Sequence, residues 1–417
     1  MIPARSRSAA FAAFQHRDFR LYQVGRLLNV IGWQMQTVAV GWQVYELTHD
    51  PLQLGYVGLA QFLPAVGLAP ITGDAADRFD RRRLLVVSSL LLCAAALALW
   101  WLATTQEAPV LGIYAAVGVV GVARSVSGPA GQALMVSLVP GEHFSNAVTW
   151  NGSSWQIAAV MGPALGGLVY AASGNAQAVY LCTAGCELMA MLLFFAIATQ
   201  PRSTRPEPGP YWSRLSAGIR YVWREKPLLG AISLDLFAVL FGGAVALLPI
   251  FASDILRVGP SGLGWLRSAP ALGALLMALS LAYHPIERNT GKVLLGCVAL
   301  FGACMVGFGL STNFALSMAL LAIAGAADMV SVVMRHTLVQ LNTPDDMRGR
   351  VSAVSLIFVG ASNELGEFES GLAANLIGVV PSVIFGGVAT LLVVAIWARL
   401  FPSLRQVDRL GQPHSAI

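Results

Sequence analysis

Charged side chains lie inside stretches of this sequence that are otherwise apolar. Arg124 falls near the middle of one apolar run, and Asp235 and Asp328 fall inside two others. A charge at the centre of a membrane helix costs about 2.5–3.5 kcal/mol on insertion scales, so such a residue is expected to face protein or water. A carboxylate whose distance from an arginine changes can bind and release a proton. These residue types therefore predict proton or ion handling within a membrane.

An internal repeat predicts how these charges pair. Two glycine-rich segments, GPALGG and GEFESG, begin 204 residues apart, and the same offset aligns Arg124 with Asp328. A similar alignment of the first and seventh apolar runs places Arg26 at the level of Asp235. Transporters often consist of two such related halves. We therefore predict two pairs, Arg26 with Asp235 and Arg124 with Asp328.

Further acidic residues occupy apolar runs without an evident partner. Glu364 and Glu367 are three residues apart and share one helix face, with Glu369 close by. They are candidates for collecting protons or binding cations, and the alternative is helix packing with exposure to lipid headgroups. Glu187 is an isolated acid in the sixth run, where a functional and a structural role both stay open.

The elements that must position these residues are membrane helices. Hydrophobic residues make up 56% of the 417-residue chain and charged residues only 11%, whereas soluble proteins average about 25% charged. A membrane helix needs about 20 apolar residues. We predict twelve spans, at 21–47, 52–72, 84–104, 110–136, 147–170, 177–199, 229–251, 262–283, 292–310, 314–337, 351–376 and 381–400.

A polar, proline-rich segment separates the first six spans from the last six. It predicts three parts: an N-terminal six-helix bundle at 1–199, a cytoplasmic linker at 200–228 and a C-terminal bundle at 229–417. Residues 212–223 in the linker have the spacing of an amphipathic helix lying on the membrane surface. The fold class is thus an all-α integral membrane protein, with twelve helices in two pseudo-symmetric bundles around a central cavity.

The basic residues predict the orientation. They concentrate in the N-terminal segment, in the 73–83 loop, in the middle linker and near the C-terminus, whereas the opposite loops offer only Arg257. Loops rich in Lys and Arg stay in the cytoplasm. We therefore expect both termini to be cytoplasmic, and the net charge of +5 does not indicate nucleic-acid binding.

The charged 73–83 loop, GDAADRFDRRR, resembles motif A of the major facilitator superfamily. In that family this loop joins the second and third helices, and the resemblance implies a breakable latch between helix ends. Asp80 stands where the family usually has glycine, which puts the tight turn in doubt. The matching positions are Gly73, Asp77, Arg78, Arg81 and Arg82.

Two further segments resemble motifs of the same superfamily. GPALGG resembles the exporter motif C through Gly162, Pro163, Gly166 and Gly167. Small residues permit close helix approach, and a proline removes a backbone hydrogen bond and bends the helix. Arg124, with a glycine four residues later, resembles motif B. The alternatives are ordinary glycine-rich packing and a structural ion pair.

The resemblance extends over essentially the whole chain. RDFRLY, YELT, TPDDMRGRVSA and the closing PSLR are similar to the transmembrane secretion effector branch of the superfamily. It implies export of an amphiphilic small molecule, siderophore or drug-like, by alternating access and proton antiport. An importer or facilitator of the same fold and a non-transporting membrane sensor are the alternatives. The expected partners are the substrate, protons and the bilayer. We expect a monomer that is not an enzyme and that binds no cofactor or metal.

The latch role gives a first testable prediction. Asp77→Asn should leave the protein inserted in the membrane but largely inactive, because a charge-assisted hydrogen bond loses its acceptor charge. Efflux of substrate from loaded cells, at matched protein levels, is the measurement. Export at the wild-type rate would rule out the latch.

Overall fold

The computed structural model describes residues 11–105, 109–198, 211–286 and 288–406. Within these ranges, the side chains at 69–70, 73–78, 211–214, 345–346, 353 and 356 lie outside the description. Throughout the described part, the chain forms helices joined by short turns, and it forms no strand there. This agrees with the predicted all-α class.

Six long helices form the first half of the chain, and local sequence signals set their ends. Asn175 accepts a hydrogen bond from the backbone N–H of Ala178 and begins the last of them, while Gly174, with φ of 71°, ends the preceding one. In chain order the helices are α1 (Arg17–Thr48), α2 (Pro51–Arg78), α3 (Arg81–Thr104), α4 (Val110–Ser137), α5 (Phe144–Ser173) and α6 (Ala176–Phe195).

The second half begins with a shorter helix and continues with further long helices. In chain order they are α7 (Tyr211–Arg224), α8 (Lys226–Gly242), α9 (Gly259–Tyr283), α10 (Thr290–Leu310), α11 (Phe314–Leu341), α12 (Asp345–Ile377), α13 (Val379–Leu400) and the short α14 (Pro402–Arg405).

The predicted span 229–251 is not one continuous helix. After α8, the chain passes through a 3₁₀ turn at Val245–Leu247 and a π turn at Phe251–Ile255. Two consecutive glycines, Gly242 and Gly243, stand at the end of the regular helix, and Ser370 donates a hydrogen bond of 2.7 Å to the Gly243 carbonyl. That bond satisfies a carbonyl left without its helical partner, as a broken membrane helix requires.

Nine helical segments of the described part are long and apolar enough to cross a membrane by length and composition. The other three predicted spans correspond to α1, α2 and α12, which have 32, 28 and 33 residues. Amide side chains along α1 and acidic ones along α12 lower their apolar content. The chain is therefore a multi-pass membrane protein of helical bundles.

The chain divides into two compact units. The first comprises Met1–Gln43 and Ala60–Pro208, and the second comprises Val44–Leu59 and Gly209–Ile417. The segment 44–59 joins the second unit, where Asn375 donates to Asp50 at 3.2 Å and the rings of Tyr56 and Phe368 lie 5.9 Å apart. The sequence-based boundaries at 199 and 228 stay a prediction.

Glycines bring helices together within each unit. In the first unit, Gly121 of α4 faces the Gln61 carbonyl of α2 so closely that a Cβ would collide with it. In the second unit, Gly325 of α11 faces the Pro270 carbonyl of α9 in the same manner. Small residues at these crossings let backbones pack closely in a membrane, where helix packing depends on van der Waals contact.

The amphipathic segment of the linker is a helix, α7, as the spacing predicts. One of its faces packs on the second unit: Val222 is buried, and Leu215 and Ile219 contact the same apolar core. The Tyr221 hydroxyl also donates to the Asn342 carbonyl at 2.8 Å. The apolar face of α7 is therefore covered at these positions by protein, and its position at the membrane surface stays a prediction.

Candidate functional site

The predicted latch residues fall at the junction of α2 and α3. Gly73, Asp77 and Arg78 lie in the last turns of α2, and their side chains are outside the described residues. Arg81 is buried and donates to the Ala133 carbonyl of α4 at 3.1 Å. Arg82 donates to the Phe195 carbonyl, and its guanidinium lies 5.2 Å from the centre of the Phe195 ring. The two described arginines thus tie α3 to its neighbours inside the first unit.

Asp80 performs a local role that glycine does not have. Its carboxylate accepts a hydrogen bond of 2.9 Å from the Arg82 N–H and caps the start of α3. Its φ of −59° lies in a region open to every residue. The departure from the family pattern at this position is therefore compatible with the turn.

The exporter motif packs α5 against α1. A Cβ on Gly162 would lie 3.1 Å from the Ile31 carbonyl oxygen, and one on Gly166 would lie 2.8 Å from the Met35 Cα. Pro163 and Gly167 are buried beside them in α5. The motif is thus a close helix contact inside the first unit.

Pro163 gives a second testable prediction. Pro163→Ala should restore an N–H donor to α5 and straighten it. We expect proton-driven export to fall more than folding, because Pro163 lies between the two glycines that contact α1 and a change in helix direction there would move that contact. The measurement is pH-driven transport at equal protein amount, and transport equal to that of the wild type would contradict this role of the bend.

Arg124 and Glu187 lie in a polar region of the first unit. The Arg124 Cζ sits 3.2 Å from the centre of the Trp33 ring, and the Trp155 ring centre is 6.1 Å from that of Trp33. Glu187 of α6 is 1% exposed and accepts a hydrogen bond of 2.7 Å from Asn29 Nδ2 of α1. The expectation that Glu187 has no partner is therefore wrong.

Arg26 borders a small cavity of the same unit. Its lining combines the polar side chains of Asn29, Ser89 and Ser127 with the apolar ones of Leu85 and Phe194. Gly131 of α4 keeps this place open, since a Cβ there would lie 3.3 Å from an Arg26 nitrogen. The structure thus places Arg26 beside both polar and apolar groups.

The second unit contains a buried ion pair that the sequence analysis missed. Asp235 of α8 pairs with Arg335 of α11, and their side chains are only 7% and 4% exposed. Asp328, two helical turns before Arg335, lines one small cavity together with Asp235 and Ser331. Two carboxylates and one cation are therefore brought together inside this unit.

The acidic residues of α12 face a cation that was also missed. Arg267 of α9 interacts electrostatically with Glu367 and Glu364, and its Nε is buried without a hydrogen-bond partner among the residues that the structure describes. Glu367 also lies against Gly58, where a Cβ would come within 2.9 Å of a carboxylate oxygen. These acids are part of a mixed-charge cluster of the second unit.

Two of these charged residues contact partners within their own unit, and the repeat did not predict those partners. Asp235 has Arg335 as a counter-ion, and Arg124 has Trp33 as a contact, each within its own unit. The pairs of Arg26 with Asp235 and of Arg124 with Asp328 stay predictions. Buried carboxylates beside cations are suited to binding and releasing protons or ions.

Comparison with known proteins identifies the family of this chain. A model of the transmembrane secretion effector family matches residues 8–415. The enterobactin exporter EntS of Shigella boydii serotype 18 and that of Escherichia coli strain UTI89 are each 27% identical over 342 residues, which is 81% of this chain and 81% of theirs.

Solved transporter structures share the fold at low sequence identity. A bacterial homologue of the human lysosomal transporter Spinster, inward-facing and occupied, has a TM-score of 0.72 at 14% identity, over 93% of this chain and 97% of that one. A bacterial homologue of the iron transporter ferroportin has a TM-score of 0.71 at 15% identity, over 94% and 99%. The chain therefore belongs to the transmembrane secretion effector family of the major facilitator superfamily, and its relatives are membrane transporters rather than enzymes.

Proposed function

We propose that this transporter exports an amphiphilic small molecule across a bacterial inner membrane by alternating access, in exchange for protons. The observation that carries the proposal is the buried pair of Asp235 and Arg335 beside Asp328. Ionisable residues are rare inside membrane proteins because they are costly, and they mark ion or proton pathways. A two-carboxylate, one-cation cluster has a carboxylate in excess, which is the group that a proton can neutralise.

The proton step follows from ordinary electrostatics. A proton on Asp235 cancels the charge that holds Arg335, and the guanidinium is then drawn to Asp328 along its own helix. Loss of that proton restores the first pairing. If the two pairings occur in different conformations of the transporter, proton binding shifts the population between them. That linkage is what an antiporter needs.

We propose a siderophore or a drug-like compound as the substrate. Relatives at 27% identity are enterobactin exporters, and the small-residue motif of α5 is the one whose resemblance implies export. Asn29, Trp33 and Gln34 of α1 supply amide and aromatic groups that suit an amphiphilic molecule.

The remaining arrangement is part of the same proposal. Gly73, Asp77, Arg78, Arg81 and Arg82 form a cytoplasmic latch. Both termini face the cytoplasm, two bundles at 1–199 and 229–417 move about the linker at 200–228, and the transporter works as a monomer. Glu364 and Glu367 serve as further proton or cation groups, with Arg267 as their counter-ion.

Export direction can be tested in Escherichia coli cells that lack their own enterobactin exporter. Expression of this chain should restore enterobactin in the medium, whereas Asp77→Asn should not. Glu142→Gln is a matched control, because Glu142 is an exposed acid in the turn before α5. Uptake of enterobactin added to the medium, above the level in cells without this chain, would identify an importer. Unchanged enterobactin, with efflux of a fluorescent amphiphile, would overturn the siderophore assignment alone.

A further inference from the structure

Glu187 is a buried acid with only one of its oxygens satisfied. Its Oε2 accepts the 2.7 Å hydrogen bond from Asn29, while its Oε1 is buried without a hydrogen-bond partner among the described residues. A carboxylate accepts hydrogen bonds at both oxygens, and a buried one without donors is costly. The second oxygen is therefore a place for a proton or for a cationic donor.

Arg124 supplies positive charge to this carboxyl group. It acts electrostatically on Glu187, while its guanidinium stacks on the Trp33 ring. Asn29 and Trp33 are four residues apart on α1 and therefore lie on one face, a single turn from each other. The acid and the aromatic ring are thus neighbouring positions for one guanidinium group.

The other titratable groups around Glu187 do not offer the same alternative. Cys93 of α3 donates its thiol to the Ala184 carbonyl at 3.6 Å, and Cys186 is the neighbour of Glu187 on α6. Both are neutral thiol side chains that repel a nearby negative charge when they ionise. Arg26 of α1 lies beside Tyr22 and Gly131. Arg124 is the described cation that acts electrostatically on Glu187.

We propose that Arg124 switches between the Trp33 ring and the Glu187 carboxylate, and that a proton on Glu187 selects the position. When Glu187 holds a proton, the neutral carboxyl needs no counter-ion, and the guanidinium covers Trp33. When the proton leaves to water, the carboxylate draws Arg124 to its open oxygen, and the Trp33 face is uncovered. The guanidinium stays charged throughout, so one proton is exchanged in each cycle.

The switch would couple protons to substrate in the first unit. An uncovered indole face is suited to a flat apolar or aromatic group of the substrate, and Trp155 already lies against Trp33. Substrate and Arg124 then compete for the same ring, so proton binding displaces substrate. This mechanism rests on the proposed proton antiport, and it supplies the competition between proton and substrate that antiport requires.

The switch can be tested without substrate or a gradient, on the full-length protein purified in detergent. Infrared difference spectra between acidic and alkaline pH should contain a carboxyl C=O band that Glu187→Gln removes. Tryptophan fluorescence should change over the same pH range, and Glu187→Gln, Arg124→Gln and Trp33→Phe should each remove that change. Trp101→Phe should keep it, because Trp101 is 62% exposed on α3.

The results separate the switch from the proposed function. A carboxyl band that persists in Glu187→Gln, or a fluorescence change that persists in Trp33→Phe, would overturn the switch. Arg124→Gln should lose the fluorescence change but keep the carboxyl band. If the arginine had only a structural role, its replacement would not separate these two signals. If the infrared and fluorescence signals behave as expected but transport in vesicles does not depend on the pH gradient, proton antiport is contradicted and the switch is supported. Size-exclusion profiles like that of the wild type confirm that each variant is folded.

Discussion

Asp328→Asn should abolish the uphill export that a pH gradient drives, while exchange of substrate across the membrane continues. Asparagine has the shape of a protonated aspartate, but it cannot release a proton. Asp328 lines the cavity shared with Asp235, so the variant would permanently present the neutral partner to Arg335. Substrate binding and conformational change need no proton in this scheme, and therefore exchange should remain near the wild-type rate.

Reconstituted vesicles allow both activities to be measured on one preparation. Counterflow of labelled substrate without a gradient reports exchange, and accumulation against a concentration gradient at imposed pH difference reports coupling. Glu142→Gln is a useful control, since it removes an acid from an exposed position in the turn before α5 and leaves the cavity unchanged. Intact uphill export in Asp328→Asn, Asp235→Asn and the double variant would assign a structural role to both aspartates and leave Glu187 or the α12 acids as the coupling groups.

Asp235→Asn should also destabilise the protein strongly, and a second substitution should reverse much of that loss. Removing one partner from a buried ion pair costs about 3–5 kcal/mol, because the other charge remains buried without compensation. Arg335 is 4% exposed, so the single variant leaves a desolvated guanidinium that has lost its contact ion pair, and Asp328 in the adjoining cavity offsets only part of that loss. Arg335→Gln in addition removes that charge, and replacement of both partners is often close to neutral.

Thermal unfolding in detergent measures this effect. The single variants Asp235→Asn and Arg335→Gln should each unfold at lower temperature, whereas the double variant should lie closer to the wild type. Arg288→Gln provides the control for loss of an exposed arginine in the turn before α10. Losses in the two single variants that simply add in the double variant would show that the pair does not stabilise the second unit through its mutual attraction.

The sequence predicts the helical architecture because membrane helices follow from composition and length. Eleven of the twelve predicted spans each correspond to a single long helix, and α7 also forms where its spacing predicts. The exception is the seventh span, which ends early at Gly242. Two glycines in an apolar run give no sign of whether the helix continues, since the freed carbonyl is satisfied by Ser370, which is 127 residues away in the chain.

The charged partners were harder to predict because they depend on tertiary contacts. Arg335 lies close to the end of the span predicted at 314–337, where a charge normally reaches water, but α11 continues to Leu341 and keeps it buried. Glu187 meets Asn29 across 158 residues of chain. Ionisable residues in apolar runs were recognisable as candidates. Their partners required the packing of the helices around them.

The most direct test of proton antiport uses the wild-type protein in sealed vesicles, with enterobactin or a fluorescent amphiphile at equal concentration on both sides. After a pH difference is imposed, the substrate should accumulate on the side with more protons, against its own gradient, and dissipation of the pH difference should release it. Accumulation on the opposite side would indicate symport. A substrate that stays evenly distributed in vesicles with active counterflow would show that transport is not coupled to protons and would contradict the account.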